Sequence, residues 1–203
     1  MKKVAGYVIL GVLLCVFLTN CKSYNDNYEN EVNDAEHIHA SMKKLSDVIV
    51  HDIFSPPVAS RNYVYASIAA YEAGRYLDSS YVSLYGQLKD MPAIEAPEKD
   101  KKYSFGIASN IALLKAAKNF IFSEDKIQAH WDEYLATLDK LNIDPEIVNN
   151  SISYGEQVAS QIIEWSNKDN YKESRSYPKF SITEDAARWK PTPPGYHEGI
   201  EPH

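Results

Sequence analysis

Cysteine is nearly absent from this sequence, with two in 203 residues, Cys15 and Cys21. Cys15 sits in an N-terminal apolar run that reads as a cleaved export signal, so Cys21 is left alone and no intramolecular disulfide can form. Basic residues are outnumbered, 21 Lys+Arg against 28 Asp+Glu. Loss of residues 1–20 takes away two lysines and no acids, leaving 19 against 28 and a net charge of −9. A chain of that sign is a poor match for nucleic acid, and no nucleic-acid partner is expected. Period-2 alternation is missing, as is any internal repeat, so neither a sheet protein nor a solenoid is indicated. The longest apolar run, Val4 to Leu18, is too short and too early to be a spanning helix.

That run does have an address. Lys2 and Lys3 precede it, and Leu18-Thr19-Asn20-Cys21 closes it in a form that resembles a bacterial lipobox, in which the cysteine becomes the lipidated first residue. The expectation is a signal peptide over 1–20 and lipidation at Cys21. The protein would then be exported and held in the bacterial cell envelope, facing the periplasm or the cell surface, with the membrane as a partner through the N-terminal lipid. Residues 21–33 are polar, rich in Asn and aperiodic, which reads as a flexible tether. Residues 34–203 form one domain, and 44% apolar with 24% charged residues is an ordinary globular mixture for it.

The body reads as all-α, a helical bundle of about five helices with an extended Pro-rich C-terminal segment. Ile38, Met42, Leu45, Ile49 and Ile53 keep helical spacing from about Asp34 onward. Ser55 is a natural N-cap and Pro56 suits the first helical position, so a second helix starts there. In it Ala59, Tyr63, Ala66, Ala70, Ala73 and Leu77 make a row of mostly small side chains, while Val64, Ile68 and Tyr71 cover another side; this reads as the central, most buried helix. About Ser79 to Asp100 is irregular, with Gly86, Pro92 and Pro97. Ile107, Ile111, Leu114 and Ile121 mark a third helix ending near Phe122. Ser123 caps a fourth, with a stripe of Ile127, Trp131, Tyr134, Leu138 and Leu141. Asp144-Pro145 opens a fifth, carrying Val148, Ile152, Val158, Ile162 and Trp165. The tail 171–203 holds Pro191, Pro193, Pro194 and Pro202 and cannot be helical over most of its length. It is expected to lie extended across the helices, pinned by Trp189, Tyr196 and Ile200.

Two stretches carry a resemblance. Ser55-Pro56-Pro57-Val58-Ala59-Ser60-Arg61, followed by Tyr63, Tyr65 and Tyr71-Glu72-Ala73, resembles the N-terminal half of bacterial lipoproteins related to vanadium-dependent haloperoxidases and type-2 phosphatidic acid phosphatases. Trp189-Lys190-Pro191-Thr192-Pro193-Pro194-Gly195-Tyr196 with Gly199-Ile200-Glu201-Pro202 is similar to the segment that follows in those proteins. The resemblance implies a cradle of Lys, two Arg and backbone N–H groups around a phosphate or vanadate, with one His as nucleophile or vanadium ligand and another as acid/base. Fixed cations and N–H dipoles suit the developing oxyanion charge.

The family's three blocks are Lys, six residues, Arg-Pro; Pro-Ser-Gly-His; and Ser-Arg, five residues, His. Lys168 and Arg175 have the first spacing, but Ser176 stands in place of Pro. Pro193-Pro194-Gly195-Tyr196-His197 lacks the Ser of the second. Ser60-Arg61 begins like the third, yet Ser67 occupies the His position. In complete relatives the blocks lie further along, so the chain reads as half of a larger helical domain and as catalytically incompetent alone. No catalytic, cofactor-binding or metal residue is assigned; vanadate or phosphate is expected only in a complete family member. The partner implied is a separate or missing C-terminal half carrying the blocks. The alternative is a non-enzymatic helical binding lipoprotein of the envelope.

Among the polar residues, Arg61 and Glu72 stand out, because a charge on so apolar a helix must be paired or must line a site. Glu72 can reach Arg75 one turn on. His37 and His39 lie about 200° apart around a helix and do not face one metal. His51-Asp52 reads as a contact with the C-terminal helix dipole or a solvated pair at a helix end, and His130, with Asp132 and Glu133, as the wet face of the fourth helix. The fifteen tyrosines fall at core spacing and read as packing residues.

Overall fold

The computed structural model describes residues 23–197. It is all-helical, with no strand among the described residues. The helices are α1 (Glu29–Val32), α2 (Ala35–His51), α3 (Pro56–Gly74), α4 (Phe105–Asn119), α5 (Glu124–Lys140), α6 (Pro145–Ser166) and α7 (Tyr171–Ser174), with a 3-10 turn at Arg75–Leu77. The five long ones match the five expected stretches.

Their starts follow local chemistry. Asp34 and Asp144 each accept a hydrogen bond from the backbone N–H two residues on, Glu36 and Glu146, both at 2.9 Å. Such caps satisfy an orphan donor of the first turn. Pro56 and Pro145 fill the opening helical positions of α3 and α6, where the missing N–H is no loss. Ser123 does stand before α5, but its hydroxyl donates to Asp52 on a distant loop instead of capping its own helix.

The centre of the bundle is α4, not α3. Ten of the fifteen α4 residues are buried, against ten of nineteen in α3, and α4 packs against α2, α3, α5 and α6. Val64 of α3 and Leu77 of the 3-10 turn that follows it are exposed, while Ala66, Ala69 and Ala73 are fully buried. The small-residue row therefore does make a close contact, but only on one side of α3. Close approach recurs on α6, where a Cβ at Gly155 would strike the backbone carbonyl of Ala108. Glycine is the residue that lets those two axes come together.

Residues 23–33 correct the reading of this segment as a tether. Tyr28 and Val32 are buried, and the Asn25 N–H donates to the Asn142 carbonyl at 3.0 Å. Asn142 in turn donates from its side chain to the Ser23 carbonyl, also at 3.0 Å. A Cβ at Gly106 would overlap the Val32 carbonyl, so α1 is seated against the start of α4. Two apolar side chains in a polar stretch give no periodicity, yet each removes enough surface from water to hold a short segment down.

The connection 78–104 has no helix but is fastened at several points. Met91 and Ile94 are buried, and Tyr103, Phe105, Tyr154 and Tyr76 form a chain of aromatic contacts beneath it. The tail departs from expectation: Trp189 and Tyr196 remain half-exposed or more, and the ring contact of Trp189 is with Phe180 of the tail itself. They therefore do not pin it across the helices. Residues 1–22 and 198–203, which include Cys21, the expected signal peptide over 1–20 and Ile200, lie outside the described residues.

Candidate functional site

Arg61 and Glu72 lie eleven residues apart on α3, roughly 16 Å along the axis at 1.5 Å per residue, so they do not pair with each other. Each has its own partner. Glu72 is 0% exposed. Its carboxylate accepts hydrogen bonds from the Leu84 N–H at 2.6 Å and the Ser83 hydroxyl at 3.1 Å, and Arg75 Nε lies 3.2 Å from Oε2. The Arg75 guanidinium also covers the Tyr76 ring, 4.2 Å from its centroid. This satisfied carboxylate clamps the start of the 78–104 connection onto α3; it presents no lone pair to a substrate.

Arg61 sits at the opposite end of α3 in an aromatic box. Its Cζ lies 4.4 Å from the Tyr171 ring centroid, 5.0 Å from Phe120 and 5.1 Å from Tyr65. Nε donates to Asp169 Oδ2 at 2.7 Å and Nη2 to the Ser166 carbonyl at 3.3 Å. Tyr65 donates its hydroxyl to the same Asp169 oxygen at 3.0 Å. Burial would raise the Asp169 carboxyl, but the Arg61 and Tyr171 hydrogen bonds and the Arg61 charge outweigh it, and Asp169 is held below the usual carboxylate range. Burial, then the Asp169 charge, pushes Tyr65 up to about 12.

Beside this box runs a groove of about 340 Å3 lined by Phe54, Arg61, Asn62, Phe122, Tyr171 and Lys172, among others. On the far side of Asp169 lies a second hollow that includes Lys168 and Trp165. Neither makes an oxyanion cradle. Arg61 is neutralised by a carboxylate in direct contact, which would repel a phosphate or vanadate. Arg175 lies over the Tyr171 ring, 5.5 Å from its centroid, and does not converge with Lys168. The Ser60 hydroxyl donates back to the Pro56 and Pro57 carbonyls, at 3.0 and 2.9 Å. His197 lies on the exposed tail. The described residues do not fit a bound vanadate or phosphate. No group of three or more His, Cys, Asp or Glu among them could hold a metal ion, and no helix among them is long and apolar enough to cross a membrane.

The histidines are placed more specifically than their spacing indicates. His130 is not on a wet face: its Nε2 is 3.1 Å from the hydroxyl of fully buried Ser41, and Nδ1 is 3.7 Å from Glu133. Burial lowers its pKa, against the pull of Glu133. The order Ser-His-Glu mimics a hydrolase triad, but a nucleophile with no exposure cannot meet a substrate. His37 packs edge-on against Tyr134 at 5.3 Å and bonds the Glu31 carbonyl at 3.0 Å, helping to seat α1. Asp52 does not pair with solvent. It accepts from the N–H groups of Phe122 and Ser123 at 2.8 and 3.0 Å and from the Ser123 hydroxyl at 2.5 Å. Asp169 and this role of Asp52 escaped the sequence reading, since their partners lie 108 and 70 residues away.

An all-helical bundle with a paired Arg on its second long helix is the class that the fold and the site define. No family model and no curated protein matches the chain. Among solved structures, one described as the first bacterial vanadium-dependent iodoperoxidase is similar, at 42% identity and a TM-score of 0.74. The match covers 83% of this chain and 40% of that one, so the chain spans well under half the length of this solved relative. The likeness supports the haloperoxidase superfamily, as the two quoted stretches imply.

Proposed function

We propose that this chain is the N-terminal helical part of a vanadium-haloperoxidase- or acid-phosphatase-like envelope lipoprotein, and that alone it neither oxidises halide nor hydrolyses phosphate esters. It supplies scaffold and wall to a site whose oxyanion-binding residues belong to a further segment. The observation that carries this is the 42% identity to the iodoperoxidase over 83% of the chain. The sequence meanwhile holds none of the three oxyanion-binding blocks, and Arg61 is committed to Asp169. Electrostatic stabilisation of a trigonal-bipyramidal oxyanion needs uncommitted donors aimed at it.

The test is to assay the purified protein with a chromogenic phosphate ester, and separately with iodide or bromide, peroxide and vanadate. No turnover above the protein-free control is expected; vanadate-dependent turnover by this chain would overturn the reading. Lipid anchoring at Cys21 belongs to the same proposal and rests on Lys2, Lys3, the apolar run and Leu18 to Cys21. Mass spectrometry of the mature N-terminus checks it, with an acylated Cys21 expected and an intact Met1 or bare Cys21 against it.

A further inference from the structure

The seated N-terminal segment bears on how the chain meets a membrane. The Ser23 carbonyl accepts a hydrogen bond from the Asn142 side chain at 3.0 Å, and the Asn25 N–H donates to the Asn142 carbonyl at 3.0 Å. Ser23 and Tyr24 also line one hollow with Leu138, Ile143 and Pro145. The hold continues along the segment, where Tyr28 and Val32 are buried and His37 bonds the Glu31 carbonyl at 3.0 Å. The chain is thus clasped to the α5–α6 connection at Ser23, two positions after Cys21.

Chain geometry turns that clasp into a leash length. Two residues reach at most about 7 Å when fully extended. A free tether over 21–33 would span about 20 Å on average and ~45 Å at full stretch, enough for the bundle to turn in any direction. The opposite end of the bundle is far off. The 22 residues of α6 from Pro145 to Ser166 rise about 33 Å at 1.5 Å per residue. Arg61, held by the Ser166 carbonyl and Asp169, sits at the far end of that rise.

We propose that the α5–α6 end of the bundle, with residues 23–33 folded against it, is a membrane-apposed face, and that its partner is the lipid headgroup surface to which Cys21 is attached. The inference rests on the lipid-anchored reading above. Its consequence is a fixed polarity, with Arg61, its aromatic box and the adjoining groove turned away from the bilayer. Charge assigns the cause to the leash and not to adsorption. Residues 23–33 carry Asp26, Glu29 and Glu31 and no Lys or Arg, and residues 139–146 carry Asp139, Asp144 and Glu146 against Lys140. Anionic headgroups attract basic clusters, so an acidic face has no electrostatic hold on them. The short covalent attachment, kept short by the Asn142 clasp, is what keeps this end at the membrane.

The experiment uses the full chain, expressed with its own N-terminus, purified from membranes and reconstituted in phosphatidylcholine vesicles. Lys140 and Lys168 are both exposed and lie near opposite ends of α6. With Cys15 removed and Cys21 acylated, Lys140→Cys or Lys168→Cys supplies the free thiol for a bimane label. Quenching by a lipid that carries a nitroxide on its headgroup should be at least threefold stronger at position 140 than at 168. Flotation with the vesicles reports separately on the anchor: a protein that does not float removes the lipid-anchored reading, and this inference falls with it. A floating protein quenched equally at the two positions, or more at 168, keeps the anchor and overturns the inference. A second form, with twelve Gly and Ser residues inserted between Lys22 and Ser23, should still float but lose the difference. A difference that survives the insertion means that the face binds lipid by its own chemistry, which overturns the leash.

Discussion

Arg61 and Asp169, 108 residues apart in sequence, meet at 2.7 Å and tie the N-terminal part of α3 to the chain leaving α6. Both side chains are mostly shielded, at 17% and 25% exposure. Removing Asp169 would leave the guanidinium facing aromatic rings with no counter-charge. Asp169→Ala should cost about 2–3 kcal/mol in denaturant unfolding, more than the ~1 kcal/mol limit of an exposed pair. A loss within a few tenths of a kcal/mol would place the pair among ordinary surface bridges.

The same contact sets a pH dependence. Asp169 and Asp52 both have their carboxyls lowered in the folded protein. Stability from a lowered carboxyl is fully present above its unfolded value, about 3.9, and is lost as pH falls through the folded value. Unfolding free energy should therefore fall below about pH 4, and the double variant Asp52→Asn, Asp169→Asn should show a shallower fall. Parallel curves for variant and parent would remove these two groups from the account.

Asp52 holds the α4–α5 connection by three hydrogen bonds. Asp52→Ala leaves two backbone donors and a hydroxyl to find water, at a cost of about 1–3 kcal/mol. Ser123→Ala removes only one donor and should cost less than half as much. Equal losses would mean that the hydroxyl carries the contact.

Glu72→Ala takes the anchor from Leu84 and Ser83 and strips a largely buried Arg75 of its counter-charge. The expected loss is about 3–5 kcal/mol, with faster proteolysis between Asp78 and Met91. Cleavage that begins elsewhere would show that Glu72 does not hold this connection.

Close packing gives the last expectation. Gly155→Ala drives a methyl into the Ala108 carbonyl and should destabilise by at least ~1–3 kcal/mol, as should Ala66→Leu on fully buried Ala66. Val64→Leu on the outer side of α3 should stay within about 0.5 kcal/mol. A destabilisation by Val64→Leu as large as that of Ala66→Leu would refute the one-sided burial of α3.

What the sequence determined by itself was local: where helices begin, and which face of each is apolar. Asp34, Ser55-Pro56 and Asp144-Pro145 mark three starts because capping and proline act within a few residues. The stripe from Ile127 to Leu138 is legible for the same reason, its spacing being that of one helix face. Tertiary structure decided which helix is the centre. Stretches 56–74 and 105–119 are both apolar on most sides, and only their packing shows that α4 is enclosed from four directions while α3 keeps an open flank. It also decided the partners of charge. Arg61 could be read as needing a counter-ion, since burying a charge alone is costly, but the identity of Asp169 depends on where two distant segments come to lie. Likewise Val32 meets Gly106 to seat the N-terminal segment, and Phe54 stacks on Phe122, through contacts spanning about seventy residues. Local rules carry no information on such pairings, because loop closure and mutual burial are properties of the assembled bundle.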